Sequence, residues 1–345
     1  MKNQGVVVRP MENADADAWD EFVRGSLQGT FFHLSRWRRV IEEGLSHKTW
    51  FLLAEQNGTI RGILPLAEID SWFFGHYLVS LPCCVYGGIV AAEESAKDAL
   101  TQAACDLAGR LGVSALEMRN LQSQHPGWPN KEMYVTFRRS IFAEDDENLK
   151  AIPRKQRAMI RKGIAADLRS RTTQEIDEFY PIYAESVRNL GTPVFPKKYF
   201  FLLTDVFSEA ADISIISHKG QDVAAVLSFF FRNEVLPYYG GSRPIARALK
   251  GNDFMYWDLM CRSARKGVEV FDFGRSKVGT GSYSFKKNWG FTEEKLHYEY
   301  FLVNGGEMPQ LNPNNPKYKY FIKAWKSLPL SVANFVGPML ARNLG

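Results

Sequence analysis

A chain of 345 residues with 45% apolar and 13% aromatic side chains can bury a sizeable core, which excludes a disordered protein and predicts two domains or one large one. A net charge of +5 over this length implies no polyanionic partner by itself, so only local clustering of cations could argue for one. The sequence has no run of about 18 residues that is apolar throughout and no secretory signal pattern, so we expect a cytoplasmic protein without a transmembrane helix.

The first half of the chain predicts a mixed α+β unit. Asn57-Gly58 separates two apolar runs, and a tight hairpin turn favours this dipeptide because both positions need positive φ. Gly112 ends an alanine-rich helical pattern, and Ser35 is a plausible N-cap for an earlier helix. In chain order the predicted elements are a strand at 6–9, helices at 14–24 and within 30–45, the hairpin, a strand at 78–88, a helix at 94–111, strands at 115–119 and 134–137, and an acidic linker at 144–147.

The second half repeats this order about 155 residues later. Helices at 176–190 and 197–207 precede a hairpin around Lys219-Gly220. The landmarks that correspond are Tyr86-Gly87-Gly88 with Tyr239-Gly240-Gly241, Gly112 with Gly267 at the ends of two helices, and Glu117 with Asp272 in the strands that follow. Agreement in order and spacing predicts a duplicated unit rather than two unrelated modules. The expected boundaries are 1–146 for the first unit, 147–305 for the second, which carries the site, and 306–345 for a basic and apolar C-terminal tail.

Four segments carry a resemblance to a known family: FHLSRWRRV, PRKQRAMIRKG, NDFMYWDLMCRSARKGVEVFDFGRS and SFKKNWGF. A hairpin, a strand ending at glycines, a helix and a buried strand resemble the GNAT acyltransferase fold. Two such units in tandem resemble the Fem family of aminoacyltransferases. The whole chain, down to its C-terminus, is similar to the FemAB-related proteins associated with bacterial PEP-CTERM sorting and exopolysaccharide gene clusters.

This resemblance implies two tandem GNAT-like units with a cleft between them. It also implies transfer of an acyl or aminoacyl group from a carrier to an amine of a cell-envelope or exopolysaccharide precursor. The donor would be an aminoacyl-tRNA or an acyl-CoA that acts as a co-substrate, with no tightly bound cofactor. Two alternatives stand beside this interpretation: an acyl-CoA-dependent N-acetyltransferase, and a non-catalytic Fem-like scaffold or binding module in polysaccharide or protein export.

Lys286 is the predicted catalytic residue. Acyl transfer to an amine needs a positive group where the tetrahedral oxyanion develops. Phe285-Lys286 matches the Phe-Lys pair of the Fem pattern, in which the resemblance implies that the lysine stabilises the transition state. A solvated surface lysine is the competing interpretation. Lys287 is the adjacent candidate, because in a strand it would face the opposite way.

Two groups of cations are predicted to hold phosphates. Arg154, Arg157 and Arg161 fall on one face of a helix that begins near Pro153, and this stripe either binds a diphosphate or a tRNA backbone or is a solvated face. Arg275 opens RSKVGTG, which resembles the R-x-x-G-x-G pyrophosphate loop of GNAT enzymes. The segment departs from that loop by one inserted residue and by the lack of an obvious helix after it, so a flexible turn is the alternative.

Aromatic and acidic residues complete the predicted site. Tyr238, Tyr239 and Trp257 are candidates for the wall of an acceptor pocket, and Trp37 matches an early Trp-basic motif of the family. Aromatic residues at such positions more often belong to the core. Asp272 lies inside an apolar strand, where a lone carboxylate is costly unless paired, so it is either hydrogen-bonded structure or a polar group facing the cleft.

No spacing of His, Cys, Ser or Asp indicates a covalent nucleophile or a metal site, which agrees with direct attack of an amine on the activated acyl group. The tail mixes lysines with aromatic residues and ends in an apolar patch. It either packs on the core or lies on a membrane surface near a lipid-linked substrate. The sequence therefore predicts a cytoplasmic N-acyltransferase, with peripheral contact to the inner face of the membrane as one of two roles for the tail.

Overall fold

The computed structural model describes residues 5–71, 75–305, 308 and 316–342, and the chain divides into two compact α+β units. Unit 1 consists of Met1–Glu132, Lys295–Leu311 and Arg342–Gly345, and unit 2 consists of Met133–Glu294 and Asn312–Ala341. Both units are discontinuous, whereas the predicted units were continuous with a separate tail. Most of the predicted tail before 316, and its last three residues, lie outside the described residues.

The strands are β1 (Val7–Pro10), β2 (Lys48–Gln56), β3 (Thr59–Ser71), β4 (Gly75–Val79), β5 (Val90–Ala91), β6 (Ala115–Asn120), β7 (Asn130–Lys131), β8 (Tyr134–Ser140), β9 (Leu168–Thr173), β10 (Ala211–His218), β11 (Gln221–Phe231), β12 (Glu234–Ser242), β13 (Val270–Asp272), β14 (Ser276–Lys277), β15 (Glu293–Lys295) and β16 (His297–Leu302). Short 3₁₀ helices lie at Asn13–Asp15, Phe31–His33, Ser208–Ala210 and Val303–Gly305, and a π-helical segment lies at Val40–Leu45.

The α-helices are α1 (Ala16–Gly25), α2 (Trp37–Arg39), α3 (Glu94–Leu111), α4 (Asp145–Ala151), α5 (Arg154–Ala165), α6 (Ile176–Leu190), α7 (Lys197–Val206), α8 (Pro244–Leu249), α9 (Gly251–Arg265), α10 (Gly281–Asn288), α11 (Pro316–Ser327) and α12 (Leu330–Ala341). Two local predictions are wrong. The acidic segment 144–147 begins α4 instead of forming a linker, and the helix within 30–45 is broken into 3₁₀, α and π turns, with Arg36 rather than Ser35 at the N-cap of α2.

Unit 1 is built on a mixed sheet of order β1-β2-β3-β4-β6-β16-β7, with β5 paired to β3. The predicted hairpin is present as β2 and β3: Asn57 and Gly58 take φ 52° and 75°, and the strands pair on either side of them. Helix α3 has the predicted bounds because Gly112 ends it with a left-handed φ of 64°. Its buried alanines and leucines pack on the sheet and form the core of this unit with the apolar residues of β2, β3 and β6.

The strand β16 completes the sheet of unit 1 from the far end of the chain. It pairs with β6 along its whole length. The buried Glu299 carboxylate of β16 accepts hydrogen bonds from Asn120 Nδ2 at 2.7 Å and from Ser123 Oγ at 2.6 Å. Burial alone would raise the pKa of Glu299, but hydrogen bonds from His125, Ser123 and Asn120 lower it to about 2. This contact explains why a segment beyond residue 294 belongs to unit 1.

Unit 2 contains a mixed sheet of order β14-β8-β13-β12-β11-β10-β9, with β15 paired to β8. The predicted hairpin at Lys219 and Gly220 joins β10 to β11, with φ values of 50° and 78° at the two turn residues. Helix α6 has the predicted bounds, and Gly191 ends it in the left-handed region. The core of the unit lies where α9 packs on the sheet, and it includes the buried residues Phe137, Trp257, Phe271, Phe273 and Trp289.

The predicted duplication is visible as a strand, a helix and a parallel strand in each unit. In unit 1 these are β4, α3 and β6, and in unit 2 they are β12, α8 with α9, and β13. In unit 2 the parallel ladder between the described residues of β12 and β13 holds two pairs, Glu234 with Val270 and Val235 with Phe271, although β12 continues to Ser242. We refer to the edge of β12 from 236 to 242, together with the end of β13, as the strand opening.

The same region differs in unit 1. The predicted strand at 78–88 is wrong beyond Val79, because Leu81 and Cys83 take left-handed φ values of 59° and 62° and end the strand, although Gly87 N and Gly88 N return to Arg119 O of β6 at 3.1 Å. The buried Arg119 guanidinium fixes this turn by donating to Leu81 O at 3.1 Å and Cys84 O at 2.9 Å. In unit 1 the end of the corresponding strand is therefore covered by the chain's own backbone.

Candidate functional site

Lys286 lies on α10, which follows the glycine-rich segment directly. Thr280 is the N-cap of this helix, and its Oγ1 accepts a hydrogen bond from Tyr283 N at 3.4 Å. Two expectations are corrected here: a helix does follow RSKVGTG, and SFKKNWGF begins as a helix instead of a strand. Lys286 and Lys287 are consequently about 100° apart around the helix axis rather than on opposite faces.

The Lys286 amine is fixed at the end of β13. Its Nζ donates to Gly274 O at 2.9 Å and to Arg275 O at 3.0 Å. Burial lowers the pKa of this amine to about 7, Arg275 adds to the effect, and Asp272 opposes it. Both the neutral amine and the ammonium form can donate to these two carbonyls, and with a pKa of about 7 the two forms are comparably populated near neutral pH. An ammonium has three N–H bonds, so a third is left to donate after these two acceptors.

Asp272 shapes the turn that carries those two carbonyls. Its buried carboxylate accepts hydrogen bonds from Gly274 N at 2.7 Å and Thr136 Oγ1 at 3.2 Å, and Arg138 Nε lies 3.5 Å away. The carboxylate is thus paired and hydrogen-bonded, as one of the two sequence interpretations expected. Through the Gly274 amide it sets the backbone on which Lys286 is held.

Arg275 lies next to Lys286. Its carbonyl accepts from the lysine, and its half-buried guanidinium lies over the Tyr134 ring, 4.9 Å from the ring centroid. A guanidinium can stack on an aromatic ring while its N–H groups donate hydrogen bonds in its own plane.

The arginine stripe lies on α5, which is packed against α9. Arg154 and Arg161 are exposed and Arg157 is partly buried, and the opposite face is held to α9 by a hydrogen bond from Gln156 to Asp253. Pro153 precedes the helix as its N-cap instead of lying in the first turn.

The start of α5 also meets the end of α10. A Cβ placed on Gly290 would lie 2.7 Å from Pro153 Cδ, so the two chain segments are in close contact. Lys286 is four residues before Gly290, which is about one helical turn or 6 Å. The structure therefore brings Lys286, Asp272, Arg275 and the beginning of the stripe into one region of unit 2.

The predicted aromatic residues are divided between this region and the core. Trp37 is fully buried in unit 1, where its Nε1 donates to Phe31 O at 3.0 Å. Tyr239 and Trp257 are buried in unit 2, and the Tyr239 hydroxyl shares a hydrogen bond with Tyr199 at 2.8 Å. Trp37, Tyr239 and Trp257 are therefore core residues, as the alternative to a binding role expected. Tyr238 is half-buried at a bulge in β12, within the strand opening.

Tyr256 is a site residue that sequence reasoning missed. A Cβ placed on Gly240 of β12 would lie 2.6 Å from its hydroxyl, and its ring packs on Phe273 and Phe285, with centroids 5.0 and 5.7 Å away. Burial raises the pKa of Tyr256 to about 12, so the phenol stays a neutral donor at physiological pH. The sequence could have indicated it, because Tyr256 directly precedes Trp257 in the same predicted helix.

The described residues contain no group of three or more His, Cys, Asp or Glu that could hold a metal ion. In the same part of the chain no helix is long and apolar enough to cross a membrane.

Comparison with known proteins assigns the fold. Residues 148–287, which lie in unit 2, match the acetyltransferase (GNAT) domain family. No curated protein matches the chain in sequence. The crystal structure of FemX is similar over 86% of this chain and 98% of its own, with a TM-score of 0.68 and 15% identity.

Two further structures have similar folds. The C-terminal domain of a lysylphosphatidylglycerol synthetase from Agrobacterium fabrum gives a TM-score of 0.56 at 13% identity, covering 85% of this chain and 92% of that domain. A tandem GNAT protein from the clavulanic acid biosynthesis pathway gives 0.55 at 11% identity, covering 88% and 99%. The chain thus has an α+β fold of two tandem GNAT-like units, and the region around Lys286 lies in the unit that matches the GNAT domain family.

Proposed function

We propose that the protein is a cytoplasmic N-acyltransferase that moves an acyl or aminoacyl group from an activated donor to an amine of a cell-envelope or exopolysaccharide precursor. The observation that carries this proposal is the Lys286 amine, held on two carbonyls at the end of β13 with its pKa lowered to about 7. In its protonated form, an amine fixed in this way in a GNAT-like unit can stabilise the negative charge that develops on the carbonyl oxygen during acyl transfer.

The reaction needs no covalent enzyme intermediate. The acceptor nitrogen attacks the acyl carbon, a C–N bond forms, and the carbonyl oxygen becomes an oxyanion. The third N–H of the Lys286 ammonium donates to that oxyanion, and the neutral Tyr256 phenol at the strand opening is the second donor of the region. The C–O bond of an aminoacyl ester or the C–S bond of a thioester then breaks, and the proton from the acceptor amine passes through water to the leaving oxygen or sulfur.

The donor is proposed from Arg275 and the arginines of α5. Arg154, Arg157, Arg161 and Arg275 would hold phosphates, which aminoacyl-tRNA and acyl-CoA both contain. Arg157 Nε is a buried donor without a hydrogen-bond partner among the described residues, which supports an anion there. If the donor is a tRNA, its affinity will fall steeply as the salt concentration rises.

Acyl-CoA-dependent N-acetyl transfer is a second candidate with its own support. The domain family that matches 148–287 is described as an acetyltransferase, and the capped helix α10 after RSKVGTG removes one of the two departures from the pyrophosphate loop. The inserted residue in that loop favours the Fem-like donor over coenzyme A.

The acceptor is proposed to belong to the cell envelope, and a lipid-linked amino sugar is the form we would test first. This class is what the resemblance of the sequence to FemAB-related proteins of PEP-CTERM and exopolysaccharide gene clusters implies. The names of two structural neighbours, FemX and a lysylphosphatidylglycerol synthetase, agree with it.

A donor screen tests the proposal. Purified protein is incubated with charged tRNA or with an acyl-CoA pool and a lipid-linked amino-sugar acceptor, and acylated products are detected by mass spectrometry. We expect transfer from charged tRNA, and a loss of about 10²–10³ in kcat for Lys286→Ala. Lys287→Ala, which changes the exposed neighbour, is the matched control.

The other outcomes separate the alternatives. Transfer from acyl-CoA alone would identify an N-acetyltransferase, and no transfer by the folded protein with either donor would favour a scaffold or binding module. Equal turnover of Lys286→Ala and wild type would remove Lys286 from the mechanism.

A further inference from the structure

The two C-terminal helices are fixed to unit 2 by close contacts with α6 and the segment after it. A Cβ on Gly191 would lie 2.5 Å from Ile322 Cγ2 of α11, and a Cβ on Gly337 of α12 would lie 3.0 Å from Val194 N. Arg188 Nη1 donates to Lys326 O at 3.2 Å. One face of these helices therefore packs on the protein, which is the first of the two roles that the sequence left open for the tail.

The other face of α12 is apolar and open to solvent. Val332, Phe335 and Met339 are 42%, 74% and 60% exposed and recur at i, i+3 and i+7, so they form one stripe. The buried residues of the helix, Ala333, Gly337 and Ala341, lie on its inner face. We call Val332, Phe335 and Met339 the tail stripe. Large apolar side chains scattered singly over a surface are ordinary, but a row of three along one helix indicates a surface that binds something.

Exposed aromatic and basic side chains also lie on α11. Tyr320 is 75% exposed and Lys323 is exposed, whereas the stem of Lys326 packs on Gly191, with its Cε 3.2 Å from a Cβ placed there. The sequence from 312 to 341 contains four lysines and no acidic residue. Apolar side chains accompanied by cations alone match an anionic lipid surface, where lysines meet headgroup phosphates and apolar groups enter the acyl boundary.

A second copy of the chain is a poorer partner for this face. In a twofold dimer the same surface meets itself, so the lysines of one helix pair would face those of the other without acidic residues on α11 or α12 to balance them. The charge pattern accordingly favours a negatively charged lipid surface over self-association.

We propose that α11 and α12 dock the protein on an anionic membrane surface. The tail stripe enters the boundary between headgroups and acyl chains, and Lys323 contacts lipid phosphates. This docking is independent of acyl transfer, because it uses none of the residues around Lys286.

Flotation with lipid vesicles tests the docking. The full chain is mixed with vesicles of phosphatidylcholine alone or of phosphatidylcholine with phosphatidylglycerol. We expect it to float with the mixed vesicles and to bind them more weakly as the salt concentration rises. The double variant Phe335→Ser, Met339→Ser should weaken binding about tenfold or more, since it removes two of the three large apolar groups of the stripe.

Matched controls make the result specific. Leu27→Ser changes a side chain that is 99% exposed in unit 1 and should bind as wild type does. Lys286→Ala should also bind normally, so a failure of the proposed reaction would leave the docking result intact. Thermal unfolding of each variant checks that it is folded.

Three results would overturn the proposal: no flotation with the mixed vesicles, unchanged flotation of the folded double variant, or a dimer in solution that the double variant abolishes. The last result would assign the tail stripe to a second copy of the chain. Binding to phosphatidylcholine alone with equal strength would remove the role given to Lys323.

Discussion

Replacing Lys286 by methionine should change how the stability of the protein depends on pH. Methionine keeps most of the volume and the flexibility of the lysine stem but has no titratable group. The two carbonyls that accept from Nζ lose their donor, which costs about 1–3 kcal/mol at every pH. The charge adds a second effect, which depends on pH.

The sign of that second effect follows from the lowered pKa. Burial lowers the pKa of Lys286 from 10.5 to about 7. Between these values the unfolded chain binds the proton and the folded chain does not, so the free energy of unfolding of the wild type rises with pH across this window. The full difference amounts to about 5 kcal/mol, and the partial exposure of the side chain to water reduces it to about 2–4 kcal/mol.

Urea unfolding at a series of pH values from 6 to 10.5 measures this difference. We expect the free energy of unfolding of Lys286→Met to be closest to that of the wild type near pH 6. By pH 10.5 the difference should have grown by about 2–4 kcal/mol in favour of the wild type. Lys287→Met is the control, because a hydrogen bond to Tyr283 raises the pKa of this exposed lysine, so its removal cannot cause a loss of stability that grows from pH 6 to pH 10.5. Parallel curves for Lys286→Met and the wild type would mean that its amine titrates normally, and the argument for a perturbed site would fail.

Three further predictions concern other parts of the structure. Glu299→Gln should destabilise the protein at pH 7 by about 3 kcal/mol, and the difference should disappear as the pH falls from 4.5 to about 2, because the pKa of the folded carboxyl is lowered to that value. Acid titration followed by circular dichroism checks this, and a constant difference would contradict it. Gly241→Ala should cost about 1–3 kcal/mol in chemical unfolding, since the new Cβ would lie 2.8 Å from Tyr183 Cα, whereas Gly25→Ala, with open space around it, should cost nothing. Thr280→Ala should cost about 1 kcal/mol and speed amide exchange in α10, while Thr280→Ser should behave as the wild type.

Much of the fold could be predicted because its signals are local. The turns at Asn57-Gly58 and Lys219-Gly220 need positive φ, and both are found where the dipeptides place them. Helices α3 and α6 end at glycines with left-handed φ, so their bounds could be read from spacing and a stop residue. The repeated order of these signals was enough to predict two tandem units.

The parts that could not be predicted depend on distant contacts or on the backbone. The place of β16 in unit 1 rests on pairing with β6, far away in the chain, and no local pattern encodes that choice. The acceptors of Lys286 are main-chain carbonyls, which leave no signature in the sequence. Helix α10 was missed because its aromatic residues favour a strand, although Thr280 is a capping residue that could have indicated it.

The return of β16 to unit 1 affects how this protein can form during synthesis. When the ribosome has released the first 132 residues, β6 can pair with β4 but lacks β16, its second partner strand, and the donors that surround Glu299 have no acceptor. The segment of unit 2 up to Glu294 emerges before β16 does. The edge of β6 in unit 1 therefore stays unpaired until that segment has been synthesised. An expression fragment that ends near residue 146 should for this reason be prone to aggregation, and unit 1 is best produced with residues 295–302 supplied as a linked strand.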